Sequence, residues 1–96
     1  MILIEIKDDS IKVSGHANYA TKWNDVVCAA ISAITQSSIT WFSKNEIKVK
    51  LNKKIPIIEL TLIDNKKENK DKLNLLIKQL QFVQKSYKKY IKIVRK

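Results

Sequence analysis

Two residues of this chain, His16 and Cys28, carry side chains that together could perform covalent chemistry. They are its single histidine and its single cysteine. An ionised cysteine sulfur is a strong nucleophile, and a neighbouring imidazole can hold the thiolate and later donate its proton to a leaving amine. The pair would suit covalent catalysis, in which the sulfur attacks a carbonyl carbon and the imidazole moves the proton.

Cys28 is expected to lie in the first turn of a helix that begins after Asp25, a residue type favoured at the N-cap. Unpaired N–H groups and the positive end of the helix dipole stabilise an anion there, which predicts a lowered thiol pKa. The amides of this turn, including that of Cys28, could also face an oxyanion. Asp25 either caps the helix or orients His16, and we favour the cap because N–H groups lie close to its carboxylate.

Each of these residues also has a plain structural explanation. A lone cysteine is usually a small residue of the core. Ser32, one turn after Cys28, either forms a hydrogen bond in the site or only allows close packing. Tyr19 and Trp23, in the predicted loop over 18–24, either contact substrate or pack locally.

One cysteine and one histidine are too few ligands for an ordinary metal site, so no metal and no cofactor are expected.

The strands that position these residues are predicted from alternating apolar side chains. Such alternation covers residues 2–6, 11–15, 47–51 and 57–63. Asp8, Asp9 and Ser10 form a turn signal between the first two strands, which predicts a hairpin that ends just before His16.

Two helices are predicted beside these strands. The first follows Asp25 and is expected to end near residues 43–45. The second is expected to be long, because apolar residues at spacings of three and four run from Leu73 to Ile91. The order ββαββα favours a two-layer α+β fold with a mostly antiparallel sheet packed against both helices. A length of 96 residues favours a single domain over 1–96.

The composition favours a cytoplasmic location but does not identify the binding partners of the chain. With 45% hydrophobic and 29% charged residues, the chain is expected to fold as a soluble globule. No apolar run approaches the roughly 20 residues that span a bilayer, so no membrane contact is expected. The N-terminus does not resemble a signal peptide, and the lone cysteine fits a reducing cytoplasm. The net charge of +10 comes from lysine with a single arginine, which favours a generic solvated surface over a nucleic-acid reader.

Two short segments hold the candidate pair: SGHANYA at 14–20 and DVVCAAISAI at 25–34, together about a fifth of the chain. They resemble the ribosomal-processing cysteine protease family (Prp) of bacteria. That family carries a glycine-histidine-alanine motif and a short loop. An aspartate, two aliphatic residues, cysteine, two alanines, an aliphatic residue and serine then follow. The two motifs at this separation are fairly specific together, whereas either alone would be weak.

The resemblance implies a particular reaction. Family members remove a short N-terminal extension, rich in apolar and aromatic residues, from the twenty-seventh large-subunit ribosomal protein, and they look like homodimers. By this resemblance Cys28 is the nucleophile and His16 its proton-transfer partner, and the loop between them is expected to be mobile and to close over substrate. Relatives usually have glycine about two residues before the aspartate. This chain has Trp23 at that position. Because tryptophan cannot adopt positive φ at low cost as glycine can, the predicted closure of the loop over substrate is in question.

Two non-enzymatic functions remain as alternatives. Lys48, Lys50, Lys53 and Lys54 around one hairpin suit an RNA- or ribosome-binding module that contacts RNA directly, although the sequence has no RNP-type strand motif and no GXXG loop. A structural dimer module would leave Cys28 as a small interface residue. Rapid alkylation at neutral pH would separate a low-pKa catalytic thiol from a buried structural one.

Overall fold

The computed structural model describes residues 1–17, 25–52 and 56–96, in which two helices cover one face of a five-stranded sheet. The elements in chain order are β1 (Ile2–Ile6), β2 (Ser10–Ser14), α1 (Val26–Ile39), β3 (Ile47–Asn52), β4 (Ile57–Leu62), α2 (Lys67–Ser86) and β5 (Ile91–Arg95). The strand order is β3-β4-β2-β1-β5, and all pairs are antiparallel except β1 with β5. The predicted two-layer α+β fold with a mostly antiparallel sheet is confirmed.

The core lies between the helices and one face of the sheet. Ile4, Val13 and Ile58 are register partners on β1, β2 and β4, and all three are buried. Successive side chains of a strand alternate between the two faces, so this register aligns the apolar positions of neighbouring strands on the helix side. Val27 of α1 and Leu80 of α2 are fully buried against that face. The predicted hairpin of β1 and β2 is confirmed, and it brings the end of β2 under the start of α1.

The C-terminal segment differs from the sequence prediction. α2 ends at Ser86, and Ile91, which was assigned to the final helix, begins β5. Three of the five residues of β5 are β-branched, which suits a strand better than a helix. β5 pairs in parallel with β1, and the Ile2 N–H donates to the Tyr90 carbonyl at 2.8 Å. This pairing satisfies backbone groups of β1 that the ββαββα order would have left at an open sheet edge.

The first helix is shorter than predicted, and it buries polar as well as apolar residues. α1 ends at Ile39 instead of near 43–45, and the Thr40 N–H donates to the Ser37 carbonyl at 3.1 Å at this end. Thr35 and Ser38 are buried because each hydroxyl donates to a carbonyl of the preceding turn. Ile34 and Trp41 are only partly buried. Within the described ranges, neither helix combines the length and the apolar character that a membrane span requires.

We predict that Leu80→Ala destabilises the fold by about 2–5 kcal/mol, because it leaves a cavity under α2. Leu75→Ala is the matched control, since Leu75 lies on the same helix and is 49% exposed. It should cost less than about 0.5 kcal/mol. Urea unfolding followed by circular dichroism measures both variants. Equal losses would show that the helix–sheet layer is not the main core.

Candidate active site

His16 and Cys28 line one cleft, which we call the Cys28 cleft. It has a volume of about 290 Å³ and lies between α1 and the strands β2, β3 and β4. His16 is exposed and Cys28 is half-buried. Most of the remaining wall is apolar and includes Val13, Ile31, Leu51, Pro56, Ile57 and Ile58. The structure therefore brings the two predicted reactive side chains to a shared, largely apolar surface.

Gly15 sets the direction of the chain as it leaves β2 towards His16. Its φ is +89°, in the left-handed region that favours glycine. A β-carbon there would lie 2.6 Å from the Met1 carbonyl oxygen, and the Gly15 N–H donates to the Pro56 carbonyl at 3.0 Å. Close backbone contacts on both sides thus require glycine at this position, and they hold the residue before His16 in place.

A hydrogen bond to sulfur connects the end of β2 with the start of α1. The Ala17 N–H donates to the Cys28 Sγ at 3.2 Å. Ala17 is buried, with 3% of its surface exposed. Because His16 lies between Gly15 and Ala17, both neighbours of the imidazole are fixed beside the thiol.

Asp25 caps α1, as the sequence predicted. Its Oδ1 accepts the Cys28 N–H at 2.9 Å, and its carbonyl accepts the Ala29 N–H at 3.1 Å. This cap bears on the expected oxyanion contact, because the Cys28 N–H that would make it already donates to the Asp25 carboxylate. The other role considered for Asp25, orientation of His16, stays a prediction.

The Cys28 thiol has a raised pKa, whereas the sequence predicted a lowered one. Burial of the sulfur is the largest cause, and the Asp25 carboxylate adds to it by opposing a second negative charge. The Ala17 N–H acts in the opposite direction, because it stabilises a thiolate, but it does not outweigh the other two. The helix N-terminus alone therefore does not determine the ionisation of this cysteine.

Ser32 and Gln36 lie on α1, about one and two turns after Cys28. Both are exposed, both line the Cys28 cleft, and the Gln36 side-chain N–H donates to the Ser32 Oγ at 2.8 Å. Exposure of Ser32 means that close packing is not its role. Sequence reasoning missed Gln36, although its position eight residues after Cys28 is the signal that could have found it, since residues four apart share a helix face.

Several predicted contacts lie outside the described residues. These are Tyr19 and Trp23, the loop over 18–24 that contains them, and Lys53 and Lys54. The substrate contacts and the loop closure assigned to them stay predictions. In the parts of the chain that the structure describes, no three His, Cys, Asp or Glu side chains are grouped so that they could hold a metal ion.

Sequence comparison decides the family. The family described as Cysteine protease Prp matches residues 1–92. The ribosomal processing cysteine protease Prp of Mycoplasma genitalium is 37% identical over 93 residues, which cover 97% of this chain and 94% of that protein. Its counterpart in Mycoplasma pneumoniae is 33% identical over 91 residues, 95% and 91% of the two chains. The chain belongs to the Prp family. It is a cysteine protease, and the non-catalytic binding module and the structural dimer module are not its function.

Solved structures agree with the fold. An essential ribosomal processing protease Prp from S. aureus, in complex with a covalently linked product peptide, superposes with a TM-score of 0.90 at 22% identity over 100% of both chains. The same enzyme with a substrate peptide gives a TM-score of 0.85 at 21% identity, again over 100% of both chains. The β5 strand and the two-layer architecture of this chain therefore belong to the Prp fold.

We predict that Asp25→Asn lowers the pKa of Cys28. Asparagine keeps an oxygen that can accept the Cys28 N–H but removes the charge that opposes the thiolate. Because only the thiolate alkylates, the rate of alkylation by iodoacetamide rises with pH through the thiol pKa. The midpoint of that profile should move to lower pH in Asp25→Asn.

Asp64→Asn is the matched control for this measurement. Asp64 also accepts a backbone N–H with its Oδ1, from Lys66 at 3.1 Å, but it precedes α2 and does not line the Cys28 cleft. Its profile should follow that of the unmodified chain. An unchanged midpoint in Asp25→Asn would mean that burial alone raises the pKa.

Proposed function

We propose that this chain is a cysteine endopeptidase that removes a short N-terminal extension from the twenty-seventh large-subunit ribosomal protein of bacteria. Cys28 is the nucleophile and His16 the acid–base partner. The observation that carries this assignment is that both line the Cys28 cleft, with the Ala17 N–H bonded to the sulfur between them. Membership in the Prp family supports the reaction class.

Burial raises the pKa of the Cys28 thiol, and in this mechanism a base removes the proton during the attack. The His16 imidazole accepts the Sγ proton as the sulfur bonds to the peptide carbonyl carbon, and the carbonyl oxygen becomes an oxyanion. When the C–N bond breaks, the imidazolium donates that proton to the leaving amine and a thioester remains. His16 then accepts a proton from water, whose oxygen attacks the thioester. Collapse of this second intermediate returns the proton to sulfur and releases the carboxylic acid.

The Ala17 N–H is the candidate donor to the oxyanion. It already donates to Sγ at 3.2 Å, and the oxyanion forms on the carbon that bonds to that sulfur. Its N–H has to turn only from Sγ to the adjacent oxyanion, and a donor already placed beside the reacting atoms favours electrostatic stabilisation. The Cys28 amide is less suited, because Asp25 accepts its N–H.

An extended apolar peptide suits the Cys28 cleft. Its walls include Val13, Leu51, Pro56, Ile57 and Ile58, which would bury apolar and aromatic side chains of a ribosomal-protein extension. The S. aureus relative with substrate and product peptides, and the Mycoplasma relatives named as ribosomal processing proteases, support a ribosomal protein as the substrate.

We further propose that the enzyme is a cytoplasmic homodimer. A free cysteine fits a reducing compartment, which is also where ribosomes assemble. Large apolar side chains at the surface, such as Phe82 at 72% exposure, are consistent with burial against a second subunit. Direct RNA contact stays a prediction, and the exposed Lys48 and Lys50 of β3 would carry it.

We predict that Cys28→Ala and Cys28→Ser abolish cleavage while the fold persists. The purified chain is incubated with the extended ribosomal protein, and intact-mass spectrometry measures loss of the extension. Ser37→Ala is the control, because Ser37 is exposed on the same helix and does not line the Cys28 cleft. It should cleave at the full rate. Full cleavage by folded Cys28→Ala would refute the assignment of the nucleophile.

His16→Ala should lower kcat by about 10²-fold or more, the low end for a positioned acid–base group. Because His16 is exposed, the substitution should change the free energy of unfolding by less than about 0.5 kcal/mol. Steady-state cleavage assays and urea unfolding measure the two effects separately. Retention of full turnover would remove His16 from the mechanism.

A further inference from the structure

Gln36 stands in the Cys28 cleft, and the proposed mechanism does not use it. It lies on α1 in line with Cys28 and Ser32, which are eight and four residues before it, and all three line the cleft. With a rise of about 1.5 Å per residue, Gln36 lies about 12 Å along the helix axis from Cys28. The cleft wall on α1 therefore carries a polar group well away from the candidate nucleophile.

The chemistry of Gln36 suits a peptide main chain. A primary amide has two N–H donors and an acceptor oxygen, and the bond to Ser32 Oγ at 2.8 Å uses one of the donors. Gln36 is exposed, so the other groups of its amide can reach a ligand in the cleft. Peptide N–H and C=O groups that enter a cleft lined by Leu51 and Ile57 lose water and need replacement partners. A side chain that both donates and accepts can supply them whatever the substrate sequence.

The distance between Gln36 and Cys28 assigns a substrate position. An extended peptide advances about 3.3 Å per residue, so about 12 Å corresponds to between three and four residues. If the scissile bond lies at Cys28, a peptide running along α1 reaches Gln36 at its third or fourth residue from that bond.

We propose that Gln36 is a specificity-determining residue that binds the substrate main chain three or four residues from the scissile bond. This rests on the proposed function, because Cys28 marks the scissile bond. Gln36 selects for substrates that extend at least that far on one side of the cut. A short peptide that leaves the Gln36 end of the cleft empty gains nothing from it.

The test compares cleavage of three peptides by wild type, Gln36→Ala and a control variant. One peptide carries six residues of the precursor on each side of the scissile bond, and the other two are shortened to two residues on one side or the other. Gln81→Ala is the control, because Gln81 is exposed on α2 and does not line the Cys28 cleft. Steady-state assays give kcat and KM separately.

For Gln36→Ala we expect a rise in KM of about three- to tenfold on the long peptide with kcat unchanged, as for one lost hydrogen bond. The same rise should persist on one shortened peptide and vanish on the other, which identifies the side that Gln36 contacts. Gln81→Ala should match wild type on all three. Kinetics of Gln36→Ala equal to wild type on the long peptide overturn the proposal.

An effect of Gln36→Ala of equal size on all three peptides also overturns the proposal, since Gln36 would then act on the cleft through Ser32. Ser32→Ala would reproduce that pattern. If wild type cleaves in a Cys28-dependent way and Gln36→Ala matches it, the inference fails and the proposed function stands. If folded wild type cleaves neither the peptides nor the precursor, both fail.

Discussion

The hydrogen bond from the Ala17 N–H to the Cys28 Sγ is the contact on which the rest of the site depends. It joins two elements that are separate in sequence, the chain leaving β2 and the first turn of α1. The buried Ala17 and the left-handed Gly15 hold the intervening His16 at the rim of the Cys28 cleft. Without this contact the imidazole and the thiol would belong to independent segments, and proton transfer between them would require ordering both.

The Asp25 carboxylate has two opposite effects: it stabilises the start of α1, and it opposes ionisation of the Cys28 thiol. Asp25 satisfies an otherwise unpaired N–H of the first turn, which stabilises the start of the helix. The same carboxylate raises the pKa of the thiol three residues later. The residue that stabilises the start of the helix is therefore also one that opposes a thiolate at Cys28.

The one-sided coverage of the sheet makes room for substrate. α1 lies over the buried face of β1 and β2, while Leu51 of β3 remains 54% exposed on the same face as the buried Ile58 of β4. The Cys28 cleft is therefore the uncovered part of the helix-facing surface, beside α1. An apolar floor and a helical wall with polar groups at four-residue spacing result from this packing, and they match the alternation of an extended peptide.

The sequence by itself determined the features that depend on local interactions. Asp25 as a cap, the hairpin of β1 and β2, and the pairing of a unique His16 with a unique Cys28 in the Prp motifs all follow from neighbouring residues. The sequence did not predict β5, because Ile91 lies four residues after Tyr87 and continues the helical spacing of α2. The β-branched residues of β5 suit a strand, and the backbone of β1, far away in the chain, supplies the partner with which that strand pairs.

Tertiary structure also decided the pKa of Cys28 and which residues line the Cys28 cleft. The pKa of Cys28 is raised chiefly by the burial of its sulfur, which no spacing in the sequence reveals. Gly15 is required because Met1 passes 2.6 Å from the place of its missing β-carbon. Gln36 lines the Cys28 cleft because β3 and β4 form its opposite wall. The sequence thus determined which residues are the candidates for the reaction, and the packing of distant segments decided the burial and the surroundings of those residues.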